Sequence, residues 1–120
     1  MKHLRVQVKS VGCFDPPFYG SHCGDTVGSI TVNGIELSKN APGFNFVVID
    51  LKTGEMEQSV NFDTHGQAGS DVRMEDFVNG LSLWKIVCIA VKDDAKTYLG
   101  ESKFNVFVRT FLNFVGIIPP

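Results

Sequence analysis

Clusters of basic residues and long apolar runs are both missing from this chain of 120 residues. Its 11 Lys and Arg are spread along the sequence against 13 Asp and Glu, which gives a formal net charge of −2. Without a basic patch to follow a phosphate backbone, we expect no nucleic-acid partner. No apolar stretch approaches the ~18 residues of a transmembrane helix, so we also expect no membrane span.

Groups typical of an active site or a metal centre are scarce. The chain has three histidines, at His3, His22 and His65, and none lies in a context typical of a catalytic triad. We therefore expect no enzymatic activity and no cofactor. The segment from Cys13 to Asp25 carries potential zinc ligands, but their spacing is not that of a zinc knuckle, so we expect no metal either.

Cysteine is also rare, with three residues in the whole chain. Cys13 and Cys23 flank a loop rich in turn formers, CFDPPFYGSHC, and we expect them to form a local disulfide in an oxidising compartment. Cys88 lies in the apolar segment WKIVCIAVK, where we expect a buried free thiol. The first residues, MKHLRVQVKSV, alternate as a strand does and do not resemble a signal peptide.

Two segments that are apolar on both faces stand out in what remains. Residues 44–50 and 86–91 predict central strands of a sheet that is covered on both sides. We expect five side chains from these strands to lie in the core: Phe46, Val48, Val87, Ile89 and Val91.

Turn signals and one helical pattern divide the rest of the chain. Asn33-Gly34 and Lys52-Thr53-Gly54 predict two hairpins, the second leading into a more exposed strand at 55–62. A helix is predicted from Ser70, acting as its cap, to about residue 79, with Gly80 as its stop. Its apolar stripe consists of Met74, Phe77, Val78 and Leu81. Other strands are expected at 4–11, 29–32, 35–37, 104–108 and 111–117.

These elements predict an α+β fold. We expect residues 1–120 to form a single domain in which two mainly antiparallel β-sheets pack as a sandwich, flanked by one or two short helices.

The order of the predicted elements and the amino-acid sequence over residues 43–95 resemble those of the interleukin-like EMT inducer family. The resemblance rests on GFNFVVIDLKTGEMEQSVNFDTHG followed by DVRMEDFVNGLSLWKIVCIAVKDDA, and extends over about 27–116. The family includes cytokine-like proteins and the stem domain of the O-mannose N-acetylglucosaminyltransferase. The resemblance implies the same sandwich and an extracellular or lumenal location.

The resemblance also implies a glycan site. In the stem domain, an aspartate in the matching Phe-Asp-Thr segment and a basic residue at the start of the matching strand contact a glycan. Carried over by position, these are Asp63 and Lys85, and the single tryptophan could stack on the sugar. The predicted carbohydrate-binding residues are Asp63, Thr64, His65, Trp84 and Lys85. The alternatives are that Asp63 stabilises a turn and that Trp84 packs in the core or at a sheet edge.

The loop between Cys13 and Cys23 is a second candidate surface. It brings together an aromatic and acidic group, namely Phe14, Asp15, Phe18, Tyr19 and His22. Such loops serve glycan or partner recognition. The alternative is a loop that folds back over one end of the core.

Our leading hypothesis is a non-catalytic, lectin-like module that recognises a neutral or N-acetylated sugar on a glycan or glycoprotein. The alternatives are a secreted cytokine-like signalling protein and a structural or attachment module of a larger surface or fibre assembly. Relatives carry a long helix after the segment that matches Lys92-Asp93-Asp94, where this chain has only KTYLGESK. An uncovered sheet face would favour a homo-oligomer.

Overall fold

The computed structural model describes residues 4–12, 26–64, 67–93 and 113–118, with the backbone alone at 11, 12, 93 and 113–118. Within these ranges lie seven strands and one helix. They are β1 (Val6–Gly12), β2 (Val27–Val32), β3 (Ile35–Glu36), β4 (Gly43–Asp50), β5 (Met56–Phe62), α1 (Ser70–Asn79), β6 (Lys85–Asp93) and β7 (Asn113–Ile118). The strand expected at 104–108 falls outside the described residues.

The strands form two three-stranded antiparallel sheets, β3-β2-β1 and β6-β4-β5. The sheets are joined where β1 runs parallel to the end of β6, with Val11 opposite Lys92. Strand β7 pairs antiparallel with β6. With one short helix beside them, these sheets make the α+β sandwich that the sequence predicts.

The core has two parts because β4 and β6 are covered on both faces. One face packs against Met74 of α1, and its buried side chains are Phe44, Phe46, Val87, Ile89 and Val91. The other packs against Ile30 and Val32 of β2, and its buried residues are Val47, Ile49, Cys88 and Ala90. All five predicted core residues are buried, which confirms the assignment of two central strands.

Both predicted hairpins form, each with a residue in the left-handed region. Asn33 and Gly34 have φ of 53° and 82°, the combination that a two-residue type I′ turn requires. In the second hairpin Gly54 has φ of 75°, and β5 begins at Met56, one residue later than expected. The exposed first half of β5 agrees with its prediction as an outer strand.

The helix has the predicted span but not the predicted cap. Gly69 is the N-cap residue, with φ of 82°, and no side chain caps the first turn. Ser70 is instead the first helical residue and fully buried, and its Oγ accepts a hydrogen bond from Nη2 of Arg73 at 3.1 Å. The prediction for Ser70 is wrong because a left-handed glycine ends the preceding loop one residue earlier. The apolar stripe is as predicted, with Met74 buried and the others packed on the core.

Candidate functional site

The described residues among those predicted to bind a sugar lie at opposite ends of β4. Asp63 follows β5 beside Gly43, where a Cβ on the glycine would lie 2.7 Å from the Asp63 Cα. Lys85 pairs with Asp50 at the far end of the strand. The seven residue steps between Gly43 and Asp50 correspond to about 23 Å along an extended strand. The structure therefore does not bring Asp63 and Lys85 into one small site.

At the end of β4 near Asp63, the segment that contains Asp63 and Thr64 leads the chain from β5 towards the helix. The carbonyl of Asp63 accepts a hydrogen bond from the Gln67 amide at 2.9 Å, and the Thr64 amide donates to the Phe62 carbonyl at 3.1 Å. Asp63 is half-buried and Thr64 is fully buried, so a ligand cannot reach the threonine without rearrangement. His65 lies outside the described residues.

The second candidate surface also falls outside the described residues, as does the predicted disulfide. This applies to Phe14, Asp15, Phe18, Tyr19 and His22, and to Cys13 and Cys23. Cys88 is described, and it is a fully buried free thiol, as predicted. Burial raises the pKa of this thiol to about 11, so it stays protonated and unreactive at neutral pH.

Trp84 stands at the surface immediately before β6. It is 41% exposed, so it is not a core residue. Its φ is 64°, a left-handed conformation that is unfavourable for a bulky side chain. Its carbonyl accepts a hydrogen bond from the Leu51 amide at 2.9 Å, which ties this strained residue to the β4–β5 turn. Strain of this kind costs roughly 1–3 kcal/mol and persists only where surrounding contacts enforce it.

The β4–β5 turn brings Lys52 to the tryptophan. Oδ1 of Asp50 accepts hydrogen bonds from the backbone amides of Lys52 at 2.8 Å and Thr53 at 2.9 Å, which fixes the turn. The Lys52 ammonium then lies over the Trp84 ring, 5.8 Å from its centroid and within the range of a cation–π contact. Within the described part of the chain, no acceptor pairs with this ammonium.

Lys85 is engaged in ion pairs that occupy its ammonium. Its Nζ lies 3.2 Å from Oδ2 of Asp50 and 2.6 Å from Oε2 of Glu57, and its side chain is only 13% exposed. Glu57 reaches it because Val48 pairs with Gln58 and Ile49 with Met56, which leaves Glu57 as the extra residue of a β-bulge.

The ion pairs change the pKa values of two of these groups. The Thr53 amide and the Lys85 ammonium lower the pKa of Asp50 from 3.8 to about 2. The hydrogen bond to Glu57, assisted by Asp50, raises the pKa of Lys85. Both groups therefore stay charged over the physiological range.

Residues 42–111 match the family model described as Interleukin-like EMT inducer, which covers more than half of the chain. The chain belongs to the interleukin-like EMT inducer family. Comparison with curated proteins gives no match. The segment that matches the family runs from β4 through β6 and so contains both ends of the predicted sugar site.

In this family member, one cluster combines an aromatic face with hydrogen-bonding groups. We call it the Trp84 site, and it consists of Asp50, Lys52, Glu57, Trp84 and Lys85. Sequence reasoning identified the tryptophan and Lys85 but missed the other three. The sequence did predict the Lys52-Thr53-Gly54 turn. If residue 50 pairs with residue 85 across the sheet, this turn lies beside Trp84, so the pairing would have identified Lys52. Nothing in the sequence indicates the bulge that presents Glu57.

Over residues 4–12, 26–64, 67–93 and 113–118, no group of three or more His, Cys, Asp or Glu side chains could hold a metal ion. No helix in the same ranges is long and apolar enough to cross a membrane.

Proposed function

We propose that this domain is a non-catalytic, lectin-like carbohydrate-binding module and that it holds a neutral or N-acetylated sugar at the Trp84 site. The observation that carries the proposal is an exposed tryptophan on a strained backbone, with φ of 64° and 41% exposure. Folding would ordinarily bury an indole or let its backbone relax. An indole ring that stays exposed despite the backbone strain of its residue suits a surface on which a ligand stacks.

The groups around the ring complement the two faces of a sugar. The apolar face of a pyranose stacks on an indole, while its hydroxyls need donors and acceptors at the edge. The Lys52 ammonium, which lies over the ring at 5.8 Å from its centroid, supplies donors next to the stacking surface. Glu57 is 37% exposed along its side chain and uses Oε2 for Lys85, so Oε1 remains as an acceptor. Lys85 keeps the carboxylates in place rather than donating to the sugar.

The charges of the site favour an uncharged ligand. Two ammonium groups, Lys52 and Lys85, balance two carboxylates, Asp50 and Glu57. A site without net charge offers no long-range attraction for an acidic or a basic sugar. This balance supports a neutral or N-acetylated sugar on a glycan or glycoprotein, which the module would meet outside the cell or in a lumenal compartment.

The site is shallow, so each sugar would bind weakly. Few ligand atoms are buried on an exposed ring, and we expect dissociation constants from roughly millimolar to high micromolar. Self-association of the domain would add avidity by about 10²–10⁴ on a multivalent glycan.

The proposal is tested by titrating hexoses and N-acetylhexosamines into the wild type, Trp84→Ala and Asp63→Ala, with binding followed by ligand-observed NMR. We expect the wild type and Asp63→Ala to bind alike, because Asp63 lies at the other end of β4, and Trp84→Ala to lose binding. Loss in Asp63→Ala alone would move the site to the position that the family resemblance implies. No binding to the wild type would contradict the carbohydrate function and favour the cytokine-like or structural alternatives.

A further inference from the structure

One carboxylate links both halves of the Trp84 site. Oδ1 of Asp50 holds the backbone amides of Lys52 and Thr53, while Oδ2 holds the Lys85 ammonium, one residue after Trp84. The backbone of the same residue closes the turn, since its carbonyl accepts from the Gly54 amide at 2.8 Å and its amide donates to the Glu55 carbonyl at 2.9 Å.

We propose that Asp50 is the positioning residue of this site. It holds the Trp84 ring and the Lys52 ammonium in place relative to each other without itself contacting the sugar. The proposal rests on the proposed function for what the ring binds, but its structural part concerns the ring alone. Oδ1 accepts two amide hydrogen bonds and Oδ2 faces the Lys85 ammonium, so the carboxylate is engaged within the protein rather than presented to a ligand.

The strain at Trp84 explains why a positioning residue is needed. A tryptophan with φ of 64° returns to an extended or right-handed backbone unless its neighbours prevent it. Two contacts flank it: the Leu51 amide on its carbonyl and the Lys85 ion pairs on the next residue. Asp50 supports both, because Leu51 lies in the turn that its carboxylate fixes. The low pKa of Asp50, about 2, agrees with a carboxylate held by several donors.

A purely structural ion pair makes a different prediction. It would stabilise the fold as a whole and leave the tryptophan environment unchanged when it is removed. The chain has a single tryptophan, so near-ultraviolet circular dichroism and fluorescence quenching by acrylamide report on this position directly.

The test compares Asp50→Ala with Asp76→Ala, an exposed aspartate of α1 whose side chain has no role in the site. For Asp50→Ala we expect loss of the tryptophan dichroism band, a changed quenching constant and sugar affinity weaker by about tenfold. For Asp76→Ala we expect all three as in the wild type. A folded Asp50→Ala protein with an unchanged tryptophan signal would overturn the proposal.

A second variant decides the matter if Asp50→Ala does not fold. Asp50→Asn keeps an oxygen for the turn amides but presents an amide donor or a neutral oxygen to Lys85, so the tryptophan signal should change by a smaller amount. An unchanged signal in a folded Asp50→Asn protein would also overturn the proposal. A changed signal in a protein whose wild type binds no sugar would support the positioning role and contradict the proposed function alone.

Discussion

At the residue scale, the residues that matter most are those whose surroundings determine their charge or conformation. The Asp50 carboxylate is an acceptor for three donors, and Trp84 is a bulky residue in a left-handed conformation. Gly43 is a third case, with φ of 102° and the β5 backbone so close that any Cβ would collide with the Phe62 carbonyl. Each leads to an expectation that a single substitution tests.

The stability of the protein should depend on pH at low pH, because the Asp50 carboxylate becomes protonated there. Because its pKa is lowered from 3.8 to about 2 on folding, its stabilisation is fully present well above pH 3.8 and is lost as the pH falls through 3.8 towards 2. Urea unfolding of the wild type and Asp50→Asn at several pH values checks this. We expect the difference in unfolding free energy to be constant above about pH 5 and to shrink below pH 4. A difference independent of pH down to 2 would contradict it.

Gly43→Ala should be far more harmful than Gly34→Ala, although both glycines have positive φ. At Gly34 nothing lies within 4 Å of the added methyl, so only backbone strain of about 1 kcal/mol is expected. At Gly43 the methyl would also collide with the backbone carbonyl oxygen of Phe62. We expect a loss of more than about 3 kcal/mol in the free energy of unfolding. Equal losses in chemical denaturation would show that the close approach of β4 and β5 is not as described.

At the scale of elements, β4 and β6 organise the fold. Their apolar residues face α1 on one side and β2 on the other, and this two-sided burial is why the sequence predicted them correctly. The helix span was also predictable, because its stripe has the helical period. The cap was not, because the choice between Gly69 and Ser70 depends on the path of the preceding loop rather than on side-chain preference.

Ile89→Asp should abolish cooperative unfolding. Ile89 is 3% exposed between α1 and the sheet, and an unpaired carboxylate there costs several kcal/mol, which is comparable to the stability of a small domain. Ile35→Asp is the matched control, because Ile35 is 64% exposed on β3. Far-ultraviolet circular dichroism with urea should show a sharp transition in the control alone. A cooperative, soluble Ile89→Asp protein would refute the core assignment.

At the scale of the whole molecule, the site depends on distances between residues that are far apart in the sequence, and no local sequence pattern predicts these distances. The sequence places Trp84 and Lys85 side by side, and the family resemblance adds Asp63. Only the register of β4 with both neighbours shows that Asp63 and Lys85 lie at opposite ends of the sheet. The same register brings the Lys52 turn to the tryptophan. Long-range pairing therefore decides which predicted residues share a site.

Thiol counting tests the cysteine assignment over the whole chain. If Cys13 and Cys23 are bonded after production in an oxidising compartment, a chromogenic thiol reagent should detect no thiol in the native protein. It should detect one after denaturation, because Cys88 is fully buried. Two further thiols in the denatured, unreduced protein would exclude the disulfide. Rapid reaction of one thiol in the native state would contradict the burial of Cys88.

The central claim is that a sugar binds at the Trp84 end of β4. Amide chemical-shift mapping by NMR during titration with N-acetylhexosamines tests it most directly, because it locates the ligand without any substitution. The largest shifts should fall on residues 50–57 and 83–86 and on the indole N–H of Trp84. Shifts centred on Asp63 and Thr64, or no shifts at saturating sugar, would contradict it.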